Sequence, residues 1–338
     1  MQEIFEKYGW DVIRYDTIQQ GLINRTYSVY TTQGEFIVQS INHNVFKNPW
    51  AIDQNIKTIG AFIQQTDPSY LYTHLVPTLQ DNTLIEWGSG FYRAFHKIKG
   101  YALSVLDNKK QVEEAAQQFA KFTYVLKDFD CNQLKDTLPQ FHDLNLRYQQ
   151  FLQALQIGDS HRIQSSKNEI DFLLAHKNYV ESYNQFIQHK EVKKRVTHHD
   201  TKISNVLFDI IHDEEKAICV IDLDTTMAGY FISDIGDMCR TCLCAVSEEE
   251  KDLNKVKVDA EKWQSLKRGY LLYMQDSLSP FEMDHLFFGG QFMIYMQALR
   301  FLTDHLNKDV YYGASYEGQN YVRTLNQIRL LEEYNTLS

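Results

Sequence analysis

The sequence is short of positive charge and has no long apolar run. Its 338 residues carry 34 Lys and Arg against 44 Asp and Glu, which gives a net charge of −10. Such a chain repels nucleic acid and anionic membrane surfaces, so we expect neither as a partner. No stretch approaches the ~18 uninterrupted apolar residues of a membrane-spanning helix. The mixed, charged N-terminal segment also lacks the apolar core of a secretory signal.

Cysteine is scarce as well, with five residues in the chain. An odd number, with Cys239, Cys242 and Cys244 close together, does not look like a disulfide framework and predicts a reducing cytoplasm. These three cysteines have no fourth ligand at a suitable spacing and lie in an apolar helical run. We therefore interpret them as buried thiols rather than as a metal cluster.

The N-terminal part of the sequence shows the alternation that is typical of β-strands. Between residues 13 and 41, apolar and polar side chains alternate on either side of a Gln33-Gly34 turn, which predicts antiparallel strands. A helix is predicted from Pro49, because apolar residues follow it at helical spacing. Two further extended runs are predicted at residues 74–79 and 91–98.

After Lys109 the pattern changes to apolar residues at helical spacing, which predicts long helices. The main further predictions are helices at 166–188 and 281–306 and short strands at 195–197, 206–208 and 217–221. The whole pattern predicts an α+β, bilobal architecture. Residues 1–99 form an N-terminal lobe with an antiparallel sheet and one helix, and residues 100–338 form a larger, mainly helical C-terminal lobe.

The chemistry is concentrated in two neighbouring segments, Thr197-His-His-Asp-Thr-Lys-Ile-Ser-Asn205 and Ile221-Asp-Leu-Asp224. Each lies beside a predicted short strand, so folding brings Asp200, Asn205 and Asp222 to the same end of a small hairpin. Asn205 and Asp222 supply the oxygen ligands that Mg²⁺ takes. Asp200 is left to orient a hydroxyl group and accept its proton. A metal clamp beside a positioned acceptor is the arrangement that phosphoryl transfer needs.

These segments resemble the catalytic and metal loops of the aminoglycoside phosphotransferase and choline kinase superfamily. The shared pattern is His-x-Asp, an Asn five residues after the Asp, and then Ile-Asp. The resemblance implies a protein-kinase-like fold that uses ATP and Mg²⁺, with Asp200 as the catalytic base and Asn205 and Asp222 as metal ligands. It also implies that His198 braces the loop and that Lys202 neutralises the transferred phosphoryl group. Asp234 and Asp237 are expected to brace the loops from below.

The nucleotide-binding segments depart from the kinase pattern. A typical kinase has a strand lysine that holds the α- and β-phosphates, whereas the corresponding strand here has Gln39, and the next helix has Gln54 in place of a Glu. Lys47 or Arg25 could supply the missing charge, or the metal carries more of it.

A turn that contains Gly21, Asn24 and Thr26 is expected to cover the phosphates through its backbone N–H groups. The alternative is an ordinary hairpin turn. By analogy with kinases, the segment with Phe95 and Lys97 takes the place of the interlobe hinge that holds the adenine. The alternative for this segment is a buried strand.

Four further segments, spread over nearly the whole chain, resemble the N-acetylhexosamine 1-kinases: Gly21-Leu-Ile-Asn-Arg-Thr-Tyr, Gln39-Ser-Ile-Asn-His-Asn-Val-Phe-Lys-Asn-Pro, Asp222-Leu-Asp-Thr-Thr-Met-Ala-Gly and Arg300-Phe-Leu-Thr-Asp-His-Leu-Asn. The resemblance implies that the acceptor is GlcNAc or GalNAc and that its anomeric hydroxyl is phosphorylated. Arg300 and Asp304 lie on one helical face, and with Tyr311 they are expected to contact the sugar. Asp224 is either a sugar contact, a second metal contact or a strand-end cap.

Other functions remain open at this point. A kinase of another sugar, of an amino alcohol or of an aminoglycoside would use the same scaffold. A non-catalytic nucleotide-binding module is supported only by the two glutamines, Gln39 and Gln54. A sulfatase-like hydrolase is disfavoured because none of the five cysteines has a proline two residues later. The choice of ATP or GTP, and of monomer or homodimer, is also open.

Overall fold

The computed structural model describes residues 1–18 and 23–337 and confirms the α+β architecture. In the described N-terminal part, five strands form one antiparallel sheet in the order β1-β2-β3-β5-β4. These strands are β1 (Val12–Ile18), β2 (Arg25–Thr31), β3 (Gly34–Ile41), β4 (Leu84–Trp87) and β5 (Gly90–His96). No helix within the described ranges is both long and apolar enough to cross a membrane.

Two smaller sheets lie in the C-terminal part and carry the loops with the acidic motifs. One pairs β7 with β10, and the other has the order β6-β8-β9. Their strands are β6 (Tyr101–Ala102), β7 (Arg195–Thr197), β8 (Val206–Ile211), β9 (Glu214–Val220) and β10 (Met227–Gly229). β7, β8 and β9 agree with the predicted positions, whereas β6 and β10 were not predicted.

The helices dominate the chain after residue 108. In the described ranges they are α1 (Gln2–Tyr8), α2 (Pro49–Thr66), α3 (Lys109–Val125), α4 (Leu144–Ile157), α5 (Ser160–Ser165), α6 (Lys167–Ala175), α7 (Asn178–Gln188), α8 (Phe231–Cys242), α9 (Ala260–Met274), α10 (Pro280–Asp284), α11 (Leu286–Leu306) and α12 (Gln319–Asn335). α11 is almost entirely buried because its residues are apolar on nearly every side, as expected of a central helix.

α2 connects the sheet to the helical part. The Asn48 side chain accepts a hydrogen bond from Ala51 N and caps the helix, and Pro49 occupies its first turn. Its apolar residues join the large hydrophobic core that the C-terminal helices also form. The amide of Asn55 donates to the carbonyl oxygens of Lys135 and Thr226 at 2.8 and 3.0 Å. The lobe boundary at residue 99 stays a prediction.

α8 and α11 cross at very short range through two glycines. A Cβ atom on Gly236 of α8 would lie 2.8 Å from Met293 Cβ, and one on Gly289 of α11 would lie 2.8 Å from Ile235 Cγ2. Both distances are too short for any larger residue without displacement of a helix. The backbones of α8 and α11 are therefore held directly against each other.

Several local predictions differ from the structure. α1 was not expected from sequence, and its apolar face packs against the sheet, where Trp10 stacks between Tyr8 and Phe36. The predicted run at 74–79 forms an isolated antiparallel bridge from Leu75 to Phe95 rather than a strand, because Pro77 has no N–H to donate and the chain turns back at Thr78. The predicted helix at 166–188 is two helices, α6 and α7, and the one at 281–306 begins as the short α10.

Candidate active site

The segment with Asp200 is held in place by the carboxylate of Asp234. β7 leads into this segment and pairs with β10. Asp234, in the first turn of α8, accepts hydrogen bonds from the backbone N–H groups of His198 at 3.0 Å and His199 at 2.8 Å. Each oxygen of Asp234 therefore fixes one peptide group of the loop, and the predicted bracing by Asp234 is confirmed.

His198 joins the same loop to the strand that precedes Asp222. Its ring is buried, and its Nε2 lies 3.0 Å from the carbonyl oxygen of Ile221, to which it must donate. Its Nδ1 then accepts from Asp200 N at 3.2 Å. Burial lowers the pKa of His198, so the ring is neutral, as this pattern of one donor and one acceptor requires. His198 thus contacts backbone groups on both sides of the site.

The Asp200 carboxylate lies between a cation and an amide. Lys202 Nζ and Asn205 Nδ2 each donate to Asp200 Oδ2, at 2.8 and 2.9 Å. Burial opposes ionisation of Asp200, but the charge and hydrogen bond of Lys202 outweigh it and lower the pKa of the carboxyl. Asp200 is therefore ionised at neutral pH and can accept a hydrogen bond from a hydroxyl group.

Asn205 and Asp222 are the two predicted metal ligands. Among the described residues, the Asp222 carboxylate and Asn205 Oδ1 accept no hydrogen bond. Burial, and then the neighbouring Asp224 carboxylate, raise the pKa of Asp222 to about 7, so its charged form would gain from a bound cation. Two such oxygens fit Mg²⁺, which completes its shell with water and phosphate. No group of three His, Cys, Asp or Glu side chains in the described part of the chain could hold a metal instead.

A polar network links the N-terminal sheet to the acidic loop. Asp224 is 2% exposed; it forms an ion pair with Arg93 of β5 and accepts a hydrogen bond from Asn24 Nδ2 at 2.7 Å. Gln39 Oε1 accepts from Arg93 Nε and Nη2 at 3.1 and 2.7 Å, and Gln39 Nε2 donates to Thr26 Oγ1 at 3.3 Å. The structure therefore places Asp224 in one network with Asn24, Thr26 and Gln39, three of the predicted nucleotide contacts.

The other predicted nucleotide contacts are placed differently. Gly21 lies outside the described residues. Phe95 lies on β5 two residues beyond Arg93, and the Arg93 guanidinium is 5.0 Å from the centre of its ring. Lys97 donates to Glu35 Oε2 at 2.8 Å and to the Tyr30 hydroxyl at 3.1 Å. These partners lie near the β2–β3 turn, so the structure does not bring Lys97 to the network around Asp224.

A cavity of about 410 Å³ opens between α4, α11 and the segment that follows α11, lined by Arg147, Gln150, Gln153, Ala154, Ile157, Arg300, Thr303, Asp304, Asn307, Tyr311 and Tyr312. Of the four residues predicted to contact a sugar, Arg300, Asp304 and Tyr311 line this cavity and Asp224 does not. Arg300 donates to Gln297 and to the Tyr311 hydroxyl, and it lies 5.1 Å from the centre of the Phe141 ring. Tyr311 is 63% exposed.

Asp304 lies in the cavity wall, but its oxygens are already used. They accept from the backbone N–H groups of Tyr311 and Tyr312 at 2.7 and 2.9 Å and from the Asn320 amide at 3.0 Å. Asp304 therefore shapes the segment that presents Tyr311. This leaves it less free to bind a ligand than the sequence suggests.

Sequence reasoning missed two arginines, one in the network around Asp224 and one in the cavity. Arg93 is a single charged residue in a run of aromatic and apolar residues on β5, and an isolated charge in a buried strand is the signal that could have identified it. Arg147 lines the cavity from α4. Burial and the charge of Arg300 lower the pKa of Arg147 to about 10, and no local pattern around it indicates this role.

Comparisons with known proteins agree with this fold and site. The model of the phosphotransferase enzyme family matches residues 15–267. This match covers most of the chain, and the protein belongs to this family of phosphotransferases.

Three solved structures illustrate the shared fold. A microcompartment-associated aminopropanol kinase is 14% identical with a TM-score of 0.67, over 99% of this chain and 96% of that one. A spectinomycin phosphotransferase in complex with ADP and spectinomycin is 12% identical with a TM-score of 0.59, over 98% and 97%. An ethanolamine kinase from Plasmodium vivax is 15% identical with a TM-score of 0.56, over 96% and 84%.

Proposed function

We propose that the protein is an ATP- and Mg²⁺-dependent small-molecule kinase whose acceptor is an N-acetylhexosamine, phosphorylated at the anomeric hydroxyl. The observation that carries the kinase proposal is the ionised Asp200 carboxylate, held by Lys202 and Asn205 near the carboxylate of Asp222. This is the division between a hydroxyl-orienting base and oxygen ligands that phosphoryl transfer needs.

The reaction follows from the contacts of these residues. Asp200 accepts a hydrogen bond from the acceptor hydroxyl, whose oxygen attacks the γ-phosphorus of ATP. The bond from that phosphorus to the bridging oxygen breaks, ADP leaves with the electron pair, and the hydroxyl proton passes to Asp200. Lys202 lies beside Asp200 and offers its charge to the transferred phosphoryl group.

Asn205 and Asp222 would hold the Mg²⁺ ion, which when bound neutralises charge on the nucleotide phosphates. The ADP in the spectinomycin phosphotransferase structure supports an adenine nucleotide as the donor. The five free cysteines and the use of ATP support a cytoplasmic location.

The cavity favours a neutral sugar over a cationic acceptor. Arg147 and Arg300 line it, and its one carboxylate among the described lining residues, Asp304, already accepts three hydrogen bonds. An amino alcohol or an aminoglycoside carries positive charge and would meet two guanidinium groups with no free carboxylate. Sugar hydroxyls can accept from both arginines and stack on Tyr311 or Tyr312. The resemblance of several segments to N-acetylhexosamine 1-kinases narrows the choice of sugar acceptor to an N-acetylhexosamine.

The test is release of ADP with Mg²⁺-ATP, repeated with GTP, across GlcNAc, GalNAc, glucose, galactose, choline and kanamycin. Asp200→Asn should abolish turnover. Asp213→Asn is the matched control, because Asp213 is exposed in the β8–β9 turn and its left-handed backbone also suits Asn. Phosphorus NMR of the product identifies the phosphorylated hydroxyl. Turnover confined to the two N-acetylhexosamines supports the proposal. Turnover on choline or kanamycin would overturn the acceptor, and failure to bind Mg²⁺-ATP would overturn the kinase.

A further inference from the structure

The site lacks the strand lysine that neutralises the nucleotide phosphates in kinases, because Gln39 takes its place. Two cations of the described N-terminal residues are engaged elsewhere: Lys57 pairs with Asp53, and Lys97 pairs with Glu35. Arg25 and Lys47, the two candidates from sequence, are exposed. None of these four cations is buried beside the acidic loop.

Arg93 is a buried cation next to Gln39, the residue that stands where kinases have the strand lysine. It lies directly opposite Gln39 in the register of β3 and β5. Its side chain is 1% exposed, and Gln39 Oε1 accepts from both its Nε and Nη2 atoms. Two hydrogen bonds to one oxygen fix the plane of the guanidinium group. The neutral Gln39 thus orients a charge that it does not itself carry.

The same guanidinium points to the acidic loop and retains an unused donor. Arg93 Nη2 forms an ion pair with Asp224, two residues beyond the proposed metal ligand Asp222. Its Nη1 atom is buried and has no partner among the described residues. A buried charged donor without an acceptor is unfavourable, and a phosphate oxygen would satisfy it. Arginine also remains charged when buried, so the site keeps its positive charge without a lysine.

We propose that Arg93 is the residue that binds the α- and β-phosphates of the nucleotide, in place of a lysine on β3. Gln39 orients its guanidinium, and Asp224 holds it next to the metal ligands. This inference rests on the proposed function in one respect, namely that the donor is a nucleotide. It adds that the cation that binds the phosphates lies on β5, the strand that pairs with β3, rather than on β3 itself.

The test compares the binding of ADP with Mg²⁺ and of adenosine by calorimetry, because adenosine has no phosphates. Arg93→Met should weaken ADP binding at least about tenfold and change adenosine binding less than about twofold. The double variant Arg93→Met, Gln39→Lys returns the charge to β3, and we expect it to bind ADP more tightly than Arg93→Met alone. Arg14→Met is the control, because Arg14 is exposed on β1 and paired with Asp16.

Three results would overturn the role of Arg93. These are unchanged ADP binding in Arg93→Met, an equal loss of ADP and adenosine binding, or a double variant that binds ADP no better than Arg93→Met. If Arg93→Met does not fold, Arg93→Gln, which can still donate to Gln39, takes its place. Wild-type protein that binds neither ligand would overturn the proposed function as well. Wild-type binding without an effect of Arg93→Met would overturn this inference alone.

Discussion

Asn24 and Asp224 are joined by a hydrogen bond of 2.7 Å from Nδ2 to Oδ2, although 200 residues separate them in the chain. Asn24 Oδ1 also accepts from Asn42 N at 3.0 Å. One side chain therefore connects the start of β2, the end of β3 and the loop with the proposed metal ligand. Asn24, which belongs to the turn expected to cover the phosphates, is thus held to the acidic loop.

Loss of this link should weaken nucleotide binding. We expect Asn24→Ala to raise the Kd of ADP with Mg²⁺ by roughly 3- to 10-fold, the effect of one hydrogen bond. Asn24→Asp should be worse than Asn24→Ala, because it places a carboxylate beside Asp224. Calorimetry measures both, with the exposed Asn44→Ala as the control. Binding by Asn24→Asp as tight as that of the wild type would contradict this account.

Lys202 should affect the chemical step more than binding. If its ammonium stabilises the transferred phosphoryl group, Lys202→Met lowers kcat by about 10²- to 10³-fold and leaves the Kd of ADP nearly unchanged. The matched control is Lys167→Met, which removes an exposed ion pair with Asp171 on α6. Single-turnover kinetics separates the two effects. An effect on ADP affinity alone would assign Lys202 to the donor site.

Arg300 should determine acceptor affinity. We expect Arg300→Met to raise the KM of the acceptor by about 10- to 100-fold, because a charged hydrogen-bond donor and its contacts with Tyr311 and Tyr312 are lost. The KM of ATP should not change. Arg268→Met, in an exposed ion pair with Glu113 on the outside of α9, controls for loss of charge. Parallel changes in both KM values would show that Arg300 maintains the fold rather than the acceptor site.

The buried histidines should make the protein sensitive to acid. Burial lowers the pKa of His199 from 6.5 to about 4, so the ring is neutral in the folded state and takes a proton more readily in the unfolded state. Its contribution to stability is therefore complete above pH 6.5 and is lost as the pH falls towards 4, up to roughly 3 kcal/mol.

The variant His199→Asn tests this pH dependence, because Asn tolerates the left-handed backbone of His199. Urea unfolding at several pH values should show a smaller loss of stability between pH 7 and pH 4.5 than in the wild type. An unchanged slope would assign the acid sensitivity to other groups, such as His198 or the His142 ring 5.3 Å from the His199 ring, whose pKa values burial also lowers.

A methyl group at Gly229 should disturb the catalytic loop. A Cβ atom there would lie 2.6 Å from His199 Cε1 and 3.0 Å from Thr197 Oγ1. We expect Gly229→Ala to cost about 1–3 kcal/mol and to lower kcat, because His199 directly precedes Asp200. Gly313→Ala has a positive φ but no atom within 4 Å of the new methyl, so it measures backbone strain alone. Equal thermal unfolding of the two variants would argue against the steric effect.

Sequence reasoning identifies the parts of the site that are local. Asp200, Lys202 and Asn205 lie within six residues, so one short loop places them together whatever surrounds it. Arg93 and Gln39 are 54 residues apart, and their contact depends on the pairing of β3 with β5, which no local pattern specifies. The pattern of apolar residues likewise predicts helices in the C-terminal part. It does not predict the break between α6 and α7, because both helices bury apolar residues in the same core.

The crossing of α8 and α11 links the loop of the proposed catalytic base to the cavity proposed for the acceptor. α8 carries Asp234, which holds the loop with Asp200, and α11 carries Arg300. Because the two backbones touch at Gly236 and Gly289, the helix that holds the Asp200 loop and the helix that carries Arg300 pack directly against each other. This helix crossing thus links the position of the proposed base to that of the proposed acceptor contact. A larger residue at the crossing would therefore reduce the enzyme's discrimination between acceptors before it reduced nucleotide affinity.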